Sequence, residues 1–316
     1  MMGRLIAALL SFLVVGGGAH AQDYPHRVIR IVVGPGPDIV ARLFSTKISD
    51  TLGQSVIVEQ RPGAGGVIAA QTVAVAPPDG YTLLQATASY TINTALQSSP
   101  LDIGRDFGPV ALVSTIPFVL VLHPSVPAKT ISDLITYAKA NPGKLNYASS
   151  SIGTPPHLAG ELFKSMAGVD IVHVPYREAN SGLNAVVSGA VQMMFSIAST
   201  AQSQIAGDTV RGIGVTSLKP SPLVPGIPAI AQSGLLDFEV IGWNGFVVPN
   251  GTPHSIVTKL NAAILGALAD ADLRAKLSTA GYEAAASNSP EDFAKFIAAD
   301  IRKWASLATR INIKPN

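Results

Sequence analysis

Short runs of β-forming residues alternate with helical patterns along nearly the whole chain, and this alternation constrains the fold more than any other feature. The run Arg27–Val33 is typical of a buried strand, and after the turn GPGPD a helical pattern covers residues 39–52. A second set of alternating helices and strands covers residues 132–176. Such alternation predicts α/β layers, in which helices flank mostly parallel sheets.

Two extended stretches near residues 118–122 and 240–247 separate these α/β halves. They predict a two-domain clamshell in which the second domain, residues 121–245, is inserted into the first, residues 22–120 plus 246–316. In such an arrangement, a ligand binds in the cleft between the domains, at the carboxyl ends of the strands.

The last helical pattern has a readable start. Ser289-Pro290-Glu291-Asp292 offers a hydroxyl N-cap, a proline at the first helical position and an acid three residues after the cap. Apolar residues then recur at helical spacing, and we interpret this stripe as core packing: Phe293, Phe296, Ile297, Ile301, Trp304 and Leu307.

The first 21 residues have the pattern of a secretory signal peptide. Arg4 precedes an apolar run from Leu5 to Val15, and Ala19-His20-Ala21 has the small-x-small form of a cleavage site. The alternative is a membrane anchor, but the apolar run is shorter than the about 20 residues that span a bilayer. We therefore expect cleavage after Ala21 and a periplasmic protein.

Composition excludes several classes of function. The chain has no cysteine, which excludes disulfides, thiolate metal sites and a cysteine nucleophile. Only 13% of residues are charged, the formal net charge is +2, and the basic residues are scattered. No patch suited to nucleic acid is visible, so we expect a small solute as the partner.

The segment SSSIGTPPHL, residues 149–158, permits two kinds of chemistry. Ser149–Ser151 and His157 could supply a nucleophile and its base. The alternative is an anion cradle: Thr154 suits an N-cap, and the prolines that follow it suit a helix start, which carries partial positive charge and unpaired donors. We favour the cradle, with a carboxylate as its ligand.

A second anion-binding surface is predicted in the first half. The turn GPGPD also joins a strand to a helix start, with Asp38 as a possible cap, and Thr87, Ser89 and Thr91 follow the strand YTLL. Two helix N-termini that face each other across a cleft would hold a dicarboxylate.

No metal or cofactor is expected. His157 and Glu161 share a helix face without a third ligand, and GAGG at 63–66 lacks the rest of a dinucleotide fingerprint.

Several motifs together resemble the Bug receptors, the periplasmic solute-binding proteins of tripartite tricarboxylate transporters. They are RPGAGG, PDGYTLL, HPSVPAKT, NPGKLNY, GTPPHLAGELFKSMAGVDIVHVPY and the GTP of PNGTP, and the likeness covers the whole mature chain. The resemblance implies a type 2 periplasmic-binding fold that closes on a small di- or tricarboxylate or aromatic carboxylate and delivers it to a membrane permease.

By the family pattern, the ligand-binding residues are Ser150, Ser151, Gly153, Thr154 and His157, together with Thr87 and Ser89. Two positions depart from the pattern. The loop VVGPGPD is short and retains only its end around Pro37 and Asp38, so the first-domain part of the cradle is expected to be wider or reorganised. Ser196 stands where relatives often carry an acid that could hold an amino group, which favours simple carboxylic acids over amino acids.

The main hypothesis is therefore a monomeric carboxylate receptor without enzymatic activity. Two alternatives stay open: a sensor that binds the same acid but docks on a signalling kinase, and a periplasmic serine hydrolase.

Overall fold

The computed structural model describes residues 24–34, 38–63, 66–96, 99–150, 152–176 and 179–311. The strands within these residues are β1 Ile29–Val33, β2 Val56–Gln60, β3 Thr82–Thr87, β4 Phe107–Leu122, β5 Asn146–Ser149, β6 Val172–Pro175, β7 Met193–Ile197, β8 Arg211–Val215, β9 Ile241–Pro249 and β10 Glu283–Ala284. The α-helices are α1 Ile39–Leu52, α2 Val67–Ala74, α3 Ala88–Ala95, α4 Ile131–Ala140, α5 Pro155–Ala167, α6 Ala179–Val187, α7 Ala198–Ala206, α8 His254–Ala269, α9 Ala271–Thr279 and α10 Pro290–Ile311.

The described strands form one mixed sheet with the main order β2-β1-β3-β9-β4-β7-β5-β6, and β8 and β10 also pair with β4. At one end, β1 runs parallel to β2 and β3, which we call the first strand set. At the other end, β5 runs parallel to β6 and β7, the second strand set. The predicted parallel pairing thus holds within each set, whereas β9 and β4 join the sets by antiparallel pairing.

Strand β4 is far longer than the strand predicted at residues 118–122. Its first part, Phe107–Pro117, pairs with β9, and its last part, Phe118–Leu122, pairs with β7. Pro109 and Pro117 concealed this length in the sequence, because proline cannot donate to a strand ladder. The sheet accommodates this part of β4 with register shifts before Ala111 and before Ser114. The main chain passes between the two strand sets along β4 and returns along β9.

The sequence predicts only helices after the extended stretch that became β9, and this is wrong. Strand β10 pairs antiparallel with Ser114 and Thr115 of β4. A strand of two residues is too short to show an alternating pattern, so its partner in β4, rather than its own sequence, defines it.

The first strand set is covered on both faces. Ile29 and Ile31 of β1 pack in one apolar cluster with Phe44 of α1 and Leu260 of α8. Val32 of β1 belongs to a different cluster that includes α2 and α10. This division follows the two-residue period of a strand, and it leaves the carboxyl ends of β1 and β3 as the place where side chains and helix starts can meet a ligand.

The predicted start and role of the last helix are confirmed. The Ser289 hydroxyl accepts from the Asp292 N–H at 3.1 Å, and the Asp292 carboxylate accepts from the Ser289 N–H at 3.3 Å, which is a capping box. Phe293, Ile297, Trp304 and Leu307 are at most 2% exposed. Helix α10 packs on α3 and also contacts α5, so it supports both sides of the region described next.

Candidate functional site

A cavity of about 230 Å³ lies at the carboxyl ends of β1 and β3, beside the middle of β4 and β9. Gly34 follows β1 at this place, and Gln85 and Thr87 belong to the end of β3. The side formed by β4 and β9 is mostly apolar and aromatic and consists of Ile116, Phe118, Gly242, Trp243 and Asn244. The position agrees with the expectation that the ligand cleft lies at the carboxyl ends of the strands.

Three helices begin at this cavity. Gly66 precedes α2, Ser89 lies in the first turn of α3, and Pro155 is the first residue of α5; all three line the cavity. The first N–H groups of a helix have no partner within the helix, and each N-terminus carries roughly half a positive charge. The cavity is therefore electropositive through its backbone.

The start of α2 depends on a glycine. Gly66 has φ +98°, and the Tyr90 hydroxyl donates to its carbonyl oxygen at 3.1 Å. A Cβ at Gly66 would lie only 2.8 Å from that hydroxyl oxygen. This close approach fixes the α2 N-terminus against α3, so that both helix starts reach one cavity.

Charged side chains are absent from the part of the cavity wall that the structure describes. An anion bound there would meet helix starts, hydroxyls and amide groups rather than lysine or arginine. The arrangement resembles the cradle expected from the sequence, but α2 and α3 supply the first-half helix starts in place of α1.

Asp38 has a different place from the one expected. It occupies the N-cap position of α1 without a side-chain capping bond, because its carboxylate accepts from Arg42 at 2.8 Å and from Gln60 at 3.0 Å. These contacts lower the pKa of Asp38, with the Arg42 hydrogen bond as the main cause. Asp38 does not line the cavity, and its predicted neighbour Pro37 lies outside the described residues.

The loop before α5 approaches the cavity through Pro155. Thr154 occupies the predicted N-cap position, with extended backbone, but its hydroxyl accepts no capping bond from α5. Prolines at the first two helical positions lack N–H groups, which removes donors that a cap could bind. Instead, the Gly153 N–H donates to Nδ1 of His157 at 3.2 Å.

The other predicted site residues lie beside the cavity or apart from it. Ser150, Gly153, Thr154 and His157 surround the start of α5 without lining the cavity. Ser196 is buried in β7, where its hydroxyl donates to the Ile197 carbonyl oxygen at 3.5 Å. Ser151 is outside the described residues. Of the predicted set, Thr87 and Ser89 line the cavity.

His157 belongs to a group of three packed rings, of which His157 and Tyr147 are buried and His173 is half-buried. It is 6% exposed, and its ring centroid lies 4.3 Å from that of His173, which stacks on Tyr147 at 4.7 Å. The Tyr147 hydroxyl donates to the Glu161 carboxylate at 2.7 Å. Burial is the main cause that lowers the pKa of both histidines, that of His173 from 6.5 to about 4. The pair is therefore neutral at pH 7.

Of the candidate nucleophiles Ser149–Ser151, Ser149 contacts a histidine, but it is not placed for catalysis. Ser149 lies 2.7 Å from Nε2 of His173, rather than beside His157, and its side chain is fully buried. A nucleophile must reach its substrate. The contact instead links β5 to β6.

Several residues that line the cavity were not predicted from the sequence. Gln85 is a polar residue within an otherwise apolar strand run, which was the only signal of its role. Trp243 and Asn244 lie in a stretch that the sequence identified only as extended. The Trp243 indole donates to the buried Asp300 carboxylate at 3.0 Å, and the Thr91 hydroxyl donates to the same oxygen at 2.6 Å.

Comparison with known proteins assigns the family. A sequence profile described as "Tripartite tricarboxylate transporter family receptor" matches residues 40–313. The chain belongs to this family. The identification made from GTPPHLAGELF and the other motifs is thereby confirmed.

Two relatives match along nearly their whole length. The UPF0065 protein in the tcbD-tcbE intergenic region of Pseudomonas sp. (strain P51) is 37% identical over 322 residues, covering 99% of this chain and 96% of the relative. Protein BugT of Bordetella pertussis (strain Tohama I) is 30% identical over 323 residues, covering 99% of each.

Solved structures of receptors share the fold. R. palustris Rpa4515 with adipate superposes with a TM-score of 0.77 at 32% identity, covering 93% of this chain and 100% of that one. MatC (Rpa3494) from Rhodopseudomonas palustris with bound malate superposes with a TM-score of 0.73 at 32% identity, covering 90% of this chain and 99% of that one. The chain is thus a solute-binding protein of this receptor family, with the α/β fold of periplasmic binding proteins.

Among the residues that the structure describes, no helix has both the length and the apolar character needed to cross a bilayer. The same residues contain no group of three or more His, Cys, Asp or Glu side chains arranged to hold a metal ion.

Proposed function

We propose that the cavity binds a small organic carboxylate and that the protein delivers this acid to the permease of a tripartite tricarboxylate transporter. The observation that carries the proposal is the convergence of three helix N-termini on a cavity whose described wall has no charged side chain. A carboxylate can accept hydrogen bonds from the first N–H groups of α2 and α3, to which α5 adds the partial positive charge of its N-terminus, without the desolvation cost of a buried lysine or arginine.

The size of the cavity favours a compact acid. Its volume of about 230 Å³ lies below the range of about 300–1,000 Å³ typical of drug-sized ligands. The aromatic side chains Tyr90, Trp243 and Tyr282 can cover the carbon skeleton. The relatives whose structures contain adipate and malate support a carboxylate as the ligand class.

Domain closure is part of the same proposal. The domains would comprise residues 22–120 plus 246–316 and residues 121–245, with hinges near 118–122 and 240–247, which lie on β4 and β9. Pro155 of the second domain and Ser89 of the first both line the cavity, so a ligand that contacts both would stabilise the closed state over the open one. Export to the periplasm, with removal of residues 1–21, places the protein where it can meet its ligand and the permease.

The test is thermal unfolding of residues 22–316 against a panel of small mono-, di- and tricarboxylic acids. A ligand at about a hundred times its dissociation constant stabilises the protein by about 2.7 kcal/mol, which raises the unfolding midpoint by several degrees. The matched control is the amide of each acid, which has the same size without the charge. Equal shifts by acid and amide, or none with any acid, would refute carboxylate binding.

Three further measurements address the absence of enzymatic activity, the oligomeric state and the partner of the protein. Incubation with the bound acid and with ester substrates should leave both chemically unchanged, and turnover of an ester would support the hydrolase alternative instead. Size-exclusion chromatography should give a monomer with and without ligand. Loss of transport on deleting the gene, with retention of permease, would identify the receptor with the transporter rather than with a kinase.

A further inference from the structure

Three buried polar side chains form a line beside the cavity. Nε2 of Gln85 in β3 donates to Oδ1 of Asn244 in β9 at 3.1 Å, and Nδ2 of Asn244 donates to the hydroxyl oxygen of Ser114 in β4 at 3.1 Å. All three are at most 4% exposed. Ser114 and Asn244 are directly paired in the sheet, so the strand register fixes this line of hydrogen bonds.

One atom in the line has no partner. Oε1 of Gln85 is buried and accepts no hydrogen bond, although Gln85 lines the cavity. Among the described residues, the other buried side-chain atom in this state is Nε1 of Trp304, which does not line the cavity. Buried polar atoms nearly always have a partner, and an amide oxygen beside a ligand cavity can obtain one from the ligand.

The neighbouring residue relates this oxygen to the proposed carboxylate position. Gln85 and Thr87 are two residues apart in β3 and therefore lie on the same face of the sheet, separated by about 6.6 Å along the strand. Thr87 immediately precedes α3, whose N-terminus would hold the carboxylate. A short acid bound there can extend a second functional group toward Gln85.

We propose that Gln85 is a specificity subsite that accepts a hydrogen bond from a hydroxyl group of the ligand, so that the receptor selects hydroxy acids. This inference rests on the proposed function. A hydroxyl satisfies Oε1, whereas a methylene group leaves it unpaired and a second carboxylate places one acceptor against another. Sites with such a buried polar group discriminate strongly against analogues that lack the matching donor.

The direction of the hydrogen bonds along this line determines whether Gln85 favours a hydroxyl group or a second carboxylate of the ligand. If both amide groups turned over, the Ser114 hydroxyl would donate to Asn244, Asn244 would donate to Gln85, and Gln85 would present its NH₂ group to the cavity. That arrangement would favour a second carboxylate. Ser114 thus acts as a positioning residue at the far end of the line, without contact with the ligand.

The experiment uses two pairs of acids that differ by one hydroxyl, malate against succinate and 3-hydroxybutyrate against butyrate. Isothermal titration of the mature protein should show about tenfold tighter binding of the hydroxy acid within a pair. Gln85→Met keeps the length of the side chain but removes the acceptor, so this variant should bind both acids of a pair with similar affinity. Gln71→Met, on an exposed face of α2, is the matched control and should retain it.

The outcomes separate this subsite from the binding function. If the acids bind but each pair binds equally, or if Gln85→Met keeps the hydroxyl preference, the subsite is wrong and the receptor function stands. Tighter binding of succinate than of malate, lost in Gln85→Met, would show the reversed line and overturn the hydroxyl preference. If none of these four acids binds but another acid of the thermal-unfolding panel does, the subsite is wrong and the receptor function stands. If no acid of either set binds, the proposed function fails and the subsite with it. Should Gln85→Met not fold, Ser114→Ala provides the second test, because it should reduce the malate-to-succinate ratio without removing a cavity residue.

Discussion

The indole Nε1 of Trp243 donates to Oδ2 of Asp300 at 3.0 Å, which ties the cavity wall to helix α10. The same carboxylate accepts from the Thr91 hydroxyl at 2.6 Å and pairs with Lys303 at 3.0 Å. One buried acid thus joins β9, α3 and α10 behind the candidate site.

Asp300→Ala should lower the free energy of unfolding by about 3 kcal/mol, because three donors lose a buried acceptor. Urea denaturation measures this change, because the free energy of unfolding follows from the midpoint and the slope of the unfolding transition. Asp272→Ala removes the exposed partner of Lys276 and should cost less than about 1 kcal/mol. Similar losses in the two variants would show that Asp300 has no special role.

The half-buried His173 predicts a pH dependence of stability. The pKa of His173 is lowered from 6.5 to about 4 in the folded protein, so between these values the unfolded chain binds a proton that the folded protein does not. The free energy of unfolding should therefore be fully retained above pH 6.5 and decrease as the pH falls toward 4. Urea unfolding at a series of pH values tests this.

His173→Gln should flatten that part of the profile, whereas His254→Gln, at an exposed position of α8, should leave it unchanged. An unaltered slope in His173→Gln would exclude His173 as the source of the pH dependence.

Acid should also weaken ligand binding, since a protonated His157 can no longer accept the Gly153 N–H and the loop before α5 loses that contact.

Two helical glycines should respond to alanine in opposite directions. A Cβ at Gly160 of α5 would lie 2.2 Å from the Tyr147 ring, whereas one at Gly266 of α8 would meet nothing within 4 Å. Gly160→Ala should destabilise the protein by about 1–3 kcal/mol through overpacking. Gly266→Ala should stabilise it by roughly 0.5–1 kcal/mol, because alanine favours helix. Thermal midpoints of the two variants suffice; a shift of the same sign in both would contradict the packing described.

Ser89 allows a direct test of the electropositive cavity. Ser89→Asn and Ser89→Asp introduce side chains of nearly equal size, so that only the charge distinguishes them. We expect Asn to change the affinity for the best acid by less than about tenfold and Asp to reduce it by about a hundredfold or more, because like charges repel strongly at a partly buried site. Equal affinities in the two variants, measured by titration, would mean that the acid binds elsewhere.

Features determined by neighbouring residues were predictable from the sequence. The helical pattern over residues 39–52 coincides with α1, and the capping box at Ser289 and Asp292 forms as predicted, because both depend on residues within a few positions of each other. The family resemblance likewise identified the class of fold. Thr87 and Ser89, which were singled out because they follow the recognisable strand YTLL, line the cavity, and their role as ligand-binding residues stays a prediction.

Features determined by distant residues were not predictable in this way. The hydrogen bond between Gln85 and Asn244 joins residues 159 positions apart, and that between Asn244 and Ser114 spans 130 positions. The first requires the register of β3 against β9. The second requires the register of β4 against β9, which contains two shifts that no local pattern reveals. Asp38 shows the same limit, since Gln60 of β2 competes for the carboxylate that was expected to cap α1.

The position of β9 between β3 and β4 also determines the order in which the molecule can assemble. Because a chain is synthesised from its N-terminus, β4 to β8 and their helices are all available before residue 241, so the second half can complete its pairing first. One edge of strand β3 stays unpaired until β9 is made, and unpaired strand edges are prone to association with other chains. The late position of β9 in the chain therefore makes the first half the part of the newly synthesised protein that most needs protection from aggregation.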